Sequence, residues 1–398
     1  GMLNHDHCAI YADNQGNIWS GLEMGISHIQ FHSSFSYYNK FAGLNNSAIY
    51  SIELFDDQLY VGTARSLYSS NWMKKDNPLA ENRRFNLIPG NEGRKAWYIL
   101  PDDDHLICCS SNIGIFKIVN NRAISIDENV NAKKLLKLCS KNILLCAGEH
   151  GGIISMKKIS GDWQTINHMR EVQFVKYFEE DAFGNIWISV LNKGIAKIQF
   201  SEDYDRVKNI VYYGKEHGLP DYKNFTVFKF NEWLLFGSDS GTFYYDNDKA
   251  LFIPFDNFNT MLGNTKIFEV KHDLNGNLWY HGVKSGRKII GRIQEKSAEI
   301  ESAIYKPLNK ISENEEFCFY PVSLELILFG ASDKLILFKP RHESVNPKPL
   351  KTIIRSVETI KDHDAMIFHG AYIGKDGNIS GSQPENEIVE LSYNKNAL

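Results

Sequence analysis

Long apolar runs are missing. No stretch approaches the roughly 20 apolar residues a helix needs to cross a bilayer, and the first residues, Gly1-Met2-Leu3-Asn4-His5, lack the charged and apolar regions of a secretory signal. Gly1 ahead of Met2 resembles the remnant of a cleaved tag, so an export signal or membrane anchor outside these residues stays open. An excess of positive charge is missing too: 44 Lys and Arg stand against 48 Asp and Glu, a formal net charge of -4. Such a balance gives no global field to draw the chain to phosphate backbones, which excludes nucleic acid as an expected partner. Cysteine is scarce. The six residues Cys8, Cys108, Cys109, Cys139, Cys146 and Cys318 include no C-x-x-C pair and no dense framework. Most lie in apolar runs such as Leu106-Ile107-Cys108-Cys109, where a thiol behaves as a small buried hydrophobe. A single bridge between Cys139 and Cys146, on neighbouring strands, stays open. Helical heptads and long 3.6-period stretches are absent, which excludes bundles and coiled coils.

Catalytic signatures are lacking as well. Catalysis needs a nucleophile with its base, two placed carboxylates or a metal cluster, and no such set stands out. Asp102-Asp103-Asp104-His105 is the densest polar cluster, but it falls in a turn between strands and reads as a solvated loop. His5-Asp6-His7-Cys8 could take a metal only adventitiously, at a fraying terminus. No catalytic residue, metal site or cofactor is expected.

What the chain does have is ordinary globular composition, 43% hydrophobic and 23% charged over 398 residues, and a repeat. Asp13-Asn14-Gln15-Gly16-Asn17-Ile18-Trp19, Asp181-Ala182-Phe183-Gly184-Asn185-Ile186-Trp187 and Asp273-Leu274-Asn275-Gly276-Asn277-Leu278-Trp279 all read D-x-x-G-N-[IL]-W. Each follows a short alternating or apolar run, and a glycine six or seven residues after the Trp opens another. Weaker copies fill the gaps, as at Gln58-Leu59-Tyr60-Val61-Gly62, His105-Leu106-Ile107-Cys108, Asn142-Ile143-Leu144-Leu145, Trp233-Leu234-Leu235-Phe236-Gly237 and Leu326-Ile327-Leu328-Phe329-Gly330. Anchors at positions 25, 66, 114, 152, 194, 241, 286 and 334 mark eight units spaced 38 to 48 residues apart. Periods near 40 residues belong to propellers and solenoids.

Asp at the head of a tight turn can accept from backbone amides ahead of it, and Gly supplies positive φ, so the motif predicts a hairpin. Calcium loops of the EF-hand kind need further oxygen ligands and a terminal Glu that this spacing lacks. Trp19, Trp187 and Trp279 are expected to pack between sheets. A second recurrence, Y-Y-x-K-x-x-G-L at 37–44 and 212–219, lies between units: Tyr-Tyr suits an outer strand, and Gly-Leu the crossing to the next inner strand. The expected fold is all-β, a β-propeller of four-stranded blades with seven or eight blades over residues 1–340, whose closure removes sheet edges. After Phe338-Lys339-Pro340 the period stops. Pro347-Lys348-Pro349 makes a stiff link, and Leu350–Glu358, Ala365–Ile373 and Glu387–Tyr393 read as strands of a short, sandwich-like segment over 341–398.

These motifs resemble the two-component regulator propeller repeats of bacterial, Bacteroidetes-type hybrid two-component sensors, closely over about 10–340. The F-x-P ending and β-rich tail are loosely similar to that family's passage into a triple-tyrosine, immunoglobulin-like domain, although the tail stops before the naming tyrosines. The resemblance implies the periplasmic sensor part of an inner-membrane histidine kinase, dimeric in the full receptor and reaching the membrane only through other segments. It also implies an oligosaccharide signal. A propeller glycosidase or lyase and a protein-docking propeller are the rival readings.

A ligand on the face where chain enters the inner strands would meet the loops leading into those strands and the loops between second and third strands. These carry Arg65, Arg94, His150, Lys193, Asp221, Tyr222, Asp239, Lys284 and Arg287. Charged groups and an aromatic suit a sugar bearing hydroxyls or acid groups.

Overall fold

The computed structural model describes residues 7–13, 16–23, 25–29, 33–72, 83–103, 105–110, 114–138, 141–148, 152–220, 225–263, 265–293 and 318–339, and four short strands between 356 and 380. Nearly all of it is antiparallel sheet. The chain divides into two compact units, His32–His342 with Gly1–His5, and Asp6–Phe31 with Glu343–Leu398.

The first unit is a seven-bladed β-propeller. Five blades are complete meanders: Ile49–Phe55, Gln58–Thr63, Leu67–Asn71 and Asn86–Leu87; Tyr98–Asp102, His105–Ser110, Gly114–Val119 and Arg122–Asp127; Lys134–Leu138, Ile143–Gly148, Gly152–Ile159 and Asp162–Met169; Val175–Glu180, Ile186–Val190, Gly194–Phe200 and Val207–Tyr213; Thr226–Phe230, Trp233–Ser238, Gly241–Asp246 and Leu251–Pro254. The sixth has three described strands, Thr265–His272, Leu278–Lys284 and Arg287–Ile293. The seventh, Phe319–Ser323, Leu326–Gly330 and Leu335–Phe338, takes its outer strand from the other end of the chain: Phe35–Tyr38 pairs antiparallel with Leu335–Phe338, and Phe35 stacks on Phe338 at 4.9 Å. Each innermost strand packs beside the next, and that of the seventh blade packs beside that of the first, so the ring is shut.

Sequence explains the layering. Second strands are sandwiched by neighbouring blades on both faces, and His105–Ser110, Ile143–Gly148 and Ile186–Val190 are buried at every residue. They read as continuous apolar runs for that reason, whereas an outer strand such as Arg122–Asp127 meets water. Trp187 is buried against Tyr213, Phe236, Tyr245 and Phe252, filling the seam between fourth and fifth blades. Trp279 lies in the core with Phe319, Phe329 and Phe338 between sixth and seventh.

The D-x-x-G-N-W turn is held by one carboxylate. Asp181 Oδ1 accepts from the backbone N–H of Phe183 and Asn185, each at 2.9 Å, while Oδ2 accepts from Asn185 Nδ2 and Trp187 Nε1, each at 2.8 Å. Asp273 repeats this with Asn277 and Trp279, and Asp13 with Asn17 and Trp19. Gly16, Gly184 and Gly276 turn the chain at φ near +80°. Both oxygens are engaged by the turn's own donors, which is why the motif is structural. At the second recurrence, Tyr212-Tyr213 ends the fourth blade's outer strand, a 3-10 turn follows over Lys215–His217, and Leu219 is buried. Gly218 sits at φ +88°, where a Cβ would lie 2.5 Å from the Phe252 carbonyl of the next blade.

Two expectations are corrected, and of the seven or eight blades expected the ring has seven. The first repeat forms a three-stranded sheet, His7–Ala12, Ile18–Leu22 and Gly25–Ile29, in the second unit, so eight repeats give seven blades. Trp19, on that sheet, is 41% exposed and stacks on His28 at 4.0 Å rather than between sheets. Asp102 is no solvated loop residue but fully buried. A short helix, Asp256–Leu262, joins the fifth and sixth blades, its Phe258 buried and its Asn259 side chain bonded to the backbone of Thr242. In the second unit Ser356–Glu358 pairs with Met366–His369, and Tyr372–Ile373 with Ile379–Ser380; the first three fall within the expected strands, while Ile379–Ser380 falls in the segment expected to be a polar turn. Strand Glu387–Tyr393, the link Pro347-Lys348-Pro349 and the His5-Asp6 start of the terminal cluster lie outside the described residues. Cys146 carries a buried free thiol, and Cys139 lies outside the described residues.

Candidate binding face

Because every blade is an antiparallel meander, the turns between second and third strands share one face of the ring with the connections into the next inner strand. That face is the mouth; the opposite face carries the turns between first and second and between third and fourth strands. Arg65, Lys193 and Asp239 stand exposed on mouth turns, Arg94 is half-buried in the connection from first to second blade, and Lys284 ends the sixth blade's second strand. His150, Asp221 and Tyr222 lie outside the described residues, as does the side chain of Arg287. Among the described residues no hydrogen bond or ion pair joins the predicted side chains to one another. Asp239 instead pairs with Lys266 at 2.9 Å, and the Lys193 ammonium lies 6.0 Å from the Tyr212 ring on its own blade.

What the mouth does assemble is an aromatic pair that sequence reading missed. Trp97 immediately precedes the second blade's inner strand and packs on Tyr50 of the first blade, centroids 4.2 Å apart. The Lys133 ammonium lies 4.5 Å from the Trp97 ring and that of Lys95 5.1 Å. Trp97 Nε1 is buried without a hydrogen-bond partner among the described residues, as are both amide atoms of Asn91 in the same connection. Exposed Phe41 and Phe174 add apolar surface to this face. The available signal in the sequence was position: Tyr50, Trp97, Lys133 and Phe174 all fall at the start of an inner strand.

Below the mouth the inner strands line a charged channel. Burial pushes the Glu53 carboxyl up to about 7, against the attraction of Lys271 and a hydrogen bond from Tyr320. Glu269 lies 3.4 Å from Lys271. For Glu269 the penalty of burial is outweighed by Lys271 and Lys134, which hold the carboxyl below its ordinary value. Burial raises Glu179, opposed by Lys229 and Lys134. The Lys134 ammonium lies 5.3 Å from the Tyr98 ring and 5.1 Å from that of Tyr177. At the other end a cavity of about 430 Å³ opens among Asp56, Asp57, Trp72, Asn275 and Ser323.

Asp102 ties blades together. Its carboxylate accepts from Lys137, from Lys158 at 3.1 Å and from Trp163 Nε1 at 2.8 Å, all of the third blade, and lies 3.3 Å from His105 of its own. Burial would raise its carboxyl, yet the bonds from Lys137, Trp163 and Lys158 outweigh burial and hold it below the usual range.

No family model matches the sequence, and no curated protein matches it. The fold has counterparts among solved structures. One, described as the extracellular domain of a hybrid two component system from B. thetaiotaomicron, is 16% identical at a TM-score of 0.59, covering 94% of this chain and 51% of that one. A second, described as the extracellular domain of a one component system of the same organism, is 15% identical at 0.54, covering 92% and 49%. What they share with this chain is the propeller fold. This chain spans about half the length of each. PorZ, a surface component of the type-IX secretion system of Porphyromonas gingivalis, is 12% identical at 0.51, covering 88% and 62%. Among the described residues no helix is long and apolar enough to cross a membrane.

Proposed function

We propose that this chain is the periplasmic, ligand-sensing region of a hybrid two-component histidine kinase, non-catalytic in itself, and that its signal is an oligosaccharide bound at the mouth of the propeller. The observation that carries the reading is the Tyr50–Trp97 pair, two aromatic rings held 4.2 Å apart at the head of the channel with Lys95 and Lys133 beside them. Aromatic faces receive the apolar C–H face of a sugar ring, and flanking donors bond its hydroxyls. The two B. thetaiotaomicron neighbours, extracellular domains of a hybrid two component and a one component system, support the sensor assignment. The signal passes on because ligand favours one of two arrangements of the receptor, most simply two packings of a dimer.

Calorimetry of the chain against oligosaccharides from several polysaccharide classes tests the reading. Wild type is expected to bind one class and Trp97→Ala to bind it at least about tenfold more weakly, the loss of roughly 1.4 kcal/mol of stacking, measured well below the variant's Tm, which falls because Trp97 also packs on the core of the second and third blades. Absence of binding from every class, or release of reducing ends by the chain, overturns it.

A further inference from the structure

The two faces of the ring carry opposite charge. On the mouth, Lys40, Arg65, Lys95, Arg170, Lys193 and Lys215 are exposed. On the opposite face the turns expose Asp56, Asp57, Asp103, Asp162, Asp203 and Asp248. Internal pairing touches both faces, and on the opposite one Asp103 pairs with Lys137 and Lys158, Asp162 with Lys117 and Asp203 with Lys157, leaving Asp56, Asp57 and Asp248. Of the mouth's acids, Asp239 lies 2.9 Å from Lys266 and Asp333 3.5 Å from Lys334, while Glu92, Glu128, Glu171, Glu216 and Asp256 are exposed on the connections, against the six exposed cations and half-buried Arg94, Lys133 and Lys284. Of the opposite face's bases, Lys249 pairs with Asp246 and Lys141 with Glu180, leaving Arg122 and Arg206 exposed on its turns. Among the described residues the mouth thus keeps a modest excess of cations, with Lys95 and Lys133 beside the Trp97 ring, and the opposite face an excess of acids.

Resting on the sensor reading above, we infer that the oligosaccharide is anionic, a chain of uronic acids or sulfated sugars. The chemistry fits in two steps. At long range, a basic face on an otherwise acidic molecule focuses field lines on the mouth and steers an anion there. At contact, a uronate carries its carboxylate on the rim of a pyranose ring whose C–H face is apolar. That ring can lie against Tyr50 and Trp97 while its charge meets Lys95, Arg94 or Arg65. A neutral sugar would use the aromatics and leave the cations idle.

The test is calorimetry at low and high salt with three probes: oligogalacturonides with sulfated uronan fragments, neutral galacto- and xylo-oligosaccharides of the same length, and a short DNA duplex. An anionic saccharide is expected to bind at least about tenfold more tightly than the neutral ones, and to weaken about tenfold between roughly 0.05 and 0.5 M salt. Lys95→Gln and Arg65→Gln should each weaken it several-fold. Asp57→Asn, on the opposite face at a positive φ that Asn accepts, should not. Neutral saccharides binding equally well and without salt dependence overturn the anionic class while leaving the saccharide sensor standing. DNA binding as tightly as the saccharide shows a generic polyanion surface and overturns it too. No binding by any saccharide overturns this inference together with the reading on which it rests.

Discussion

Asp13, Asp181 and Asp273 occupy the same turn, but their surroundings differ, and the difference is measurable. Around Asp181 the indole is buried in an inter-blade seam, so removing its acceptor strands a donor where water cannot replace it. Around Asp13 the indole is 41% exposed and water takes over. Asp181→Ala should therefore cost about 2–4 kcal/mol and Asp13→Ala about 1 kcal/mol or less, read from urea unfolding followed by tryptophan fluorescence. Equal costs would refute the seam argument. Asp102 makes the corresponding case for pH. Its folded carboxyl lies below its ordinary value, so its contribution is present above about pH 4 and disappears as pH falls through the folded value. Asp102→Asn, which leaves Lys137 and Lys158 poorly matched, should lower stability by about 3 kcal/mol at pH 7 and by progressively less as pH falls below about 4. A gap independent of pH would exclude the ion-pair account. The turn around Asp181 was legible because its donors lie within six residues. The burial of Asp102 was not, since Lys137 and Trp163 come from the next blade, 35 and 61 residues on.

At the scale of the strand, sequence announced the middle of each blade better than its inner edge. A strand covered on both faces is apolar throughout and cannot be mistaken for solvent-facing chain, which is why runs such as Ile143-Leu144-Leu145 marked their blades. Inner strands face a narrow polar channel, so Glu53, Tyr98, Lys134, Lys271 and Tyr320 looked like ordinary surface residues. Only closure of the ring brings them together from five blades. The same blindness affected the mouth: Trp97 and Tyr50 are 47 positions apart and touch only because adjacent inner strands begin side by side. The channel makes its own prediction. Glu53 is an acid whose folded value, about 7, lies above its ordinary 4.5. Folding therefore favours its protonated form, and the stability this confers is present below about pH 4.5 and lost as pH rises through 7. Glu53→Gln should raise Tm at pH 8 and leave it unchanged at pH 4. A lower Tm at pH 8 would mean that attraction to Lys271, not burial, governs this side chain.

For the whole molecule, counting repeats could not decide how many blades there are, because a repeat records hairpins and not which sheet each strand joins. Phe35–Tyr38 carries no D-x-x-G-N-W signature and reads as a stray strand after the first repeat, yet it completes the last blade some 300 residues away. Closure of this kind is what lets seven sheets stay shut: without it Leu335–Phe338 becomes a bare edge, Phe338 loses its stacked partner, and the seam between seventh and first blades stands open. The consequence is a sharp dependence on very few residues. A chain beginning at Ser33 retains the closing strand, while one beginning at Asn39 lacks it, a difference of six residues with no catalytic or ligand-facing role assigned here. Losing one buried aromatic stack and a four-residue ladder costs about 3–5 kcal/mol, so the shorter chain should melt about 5–10 °C lower and expose new backbone amides at Leu335–Phe338 to hydrogen exchange. If both chains melt together with equal protection there, the ring is shut by its inner strands alone, and the borrowed strand is an ornament on a wheel already closed.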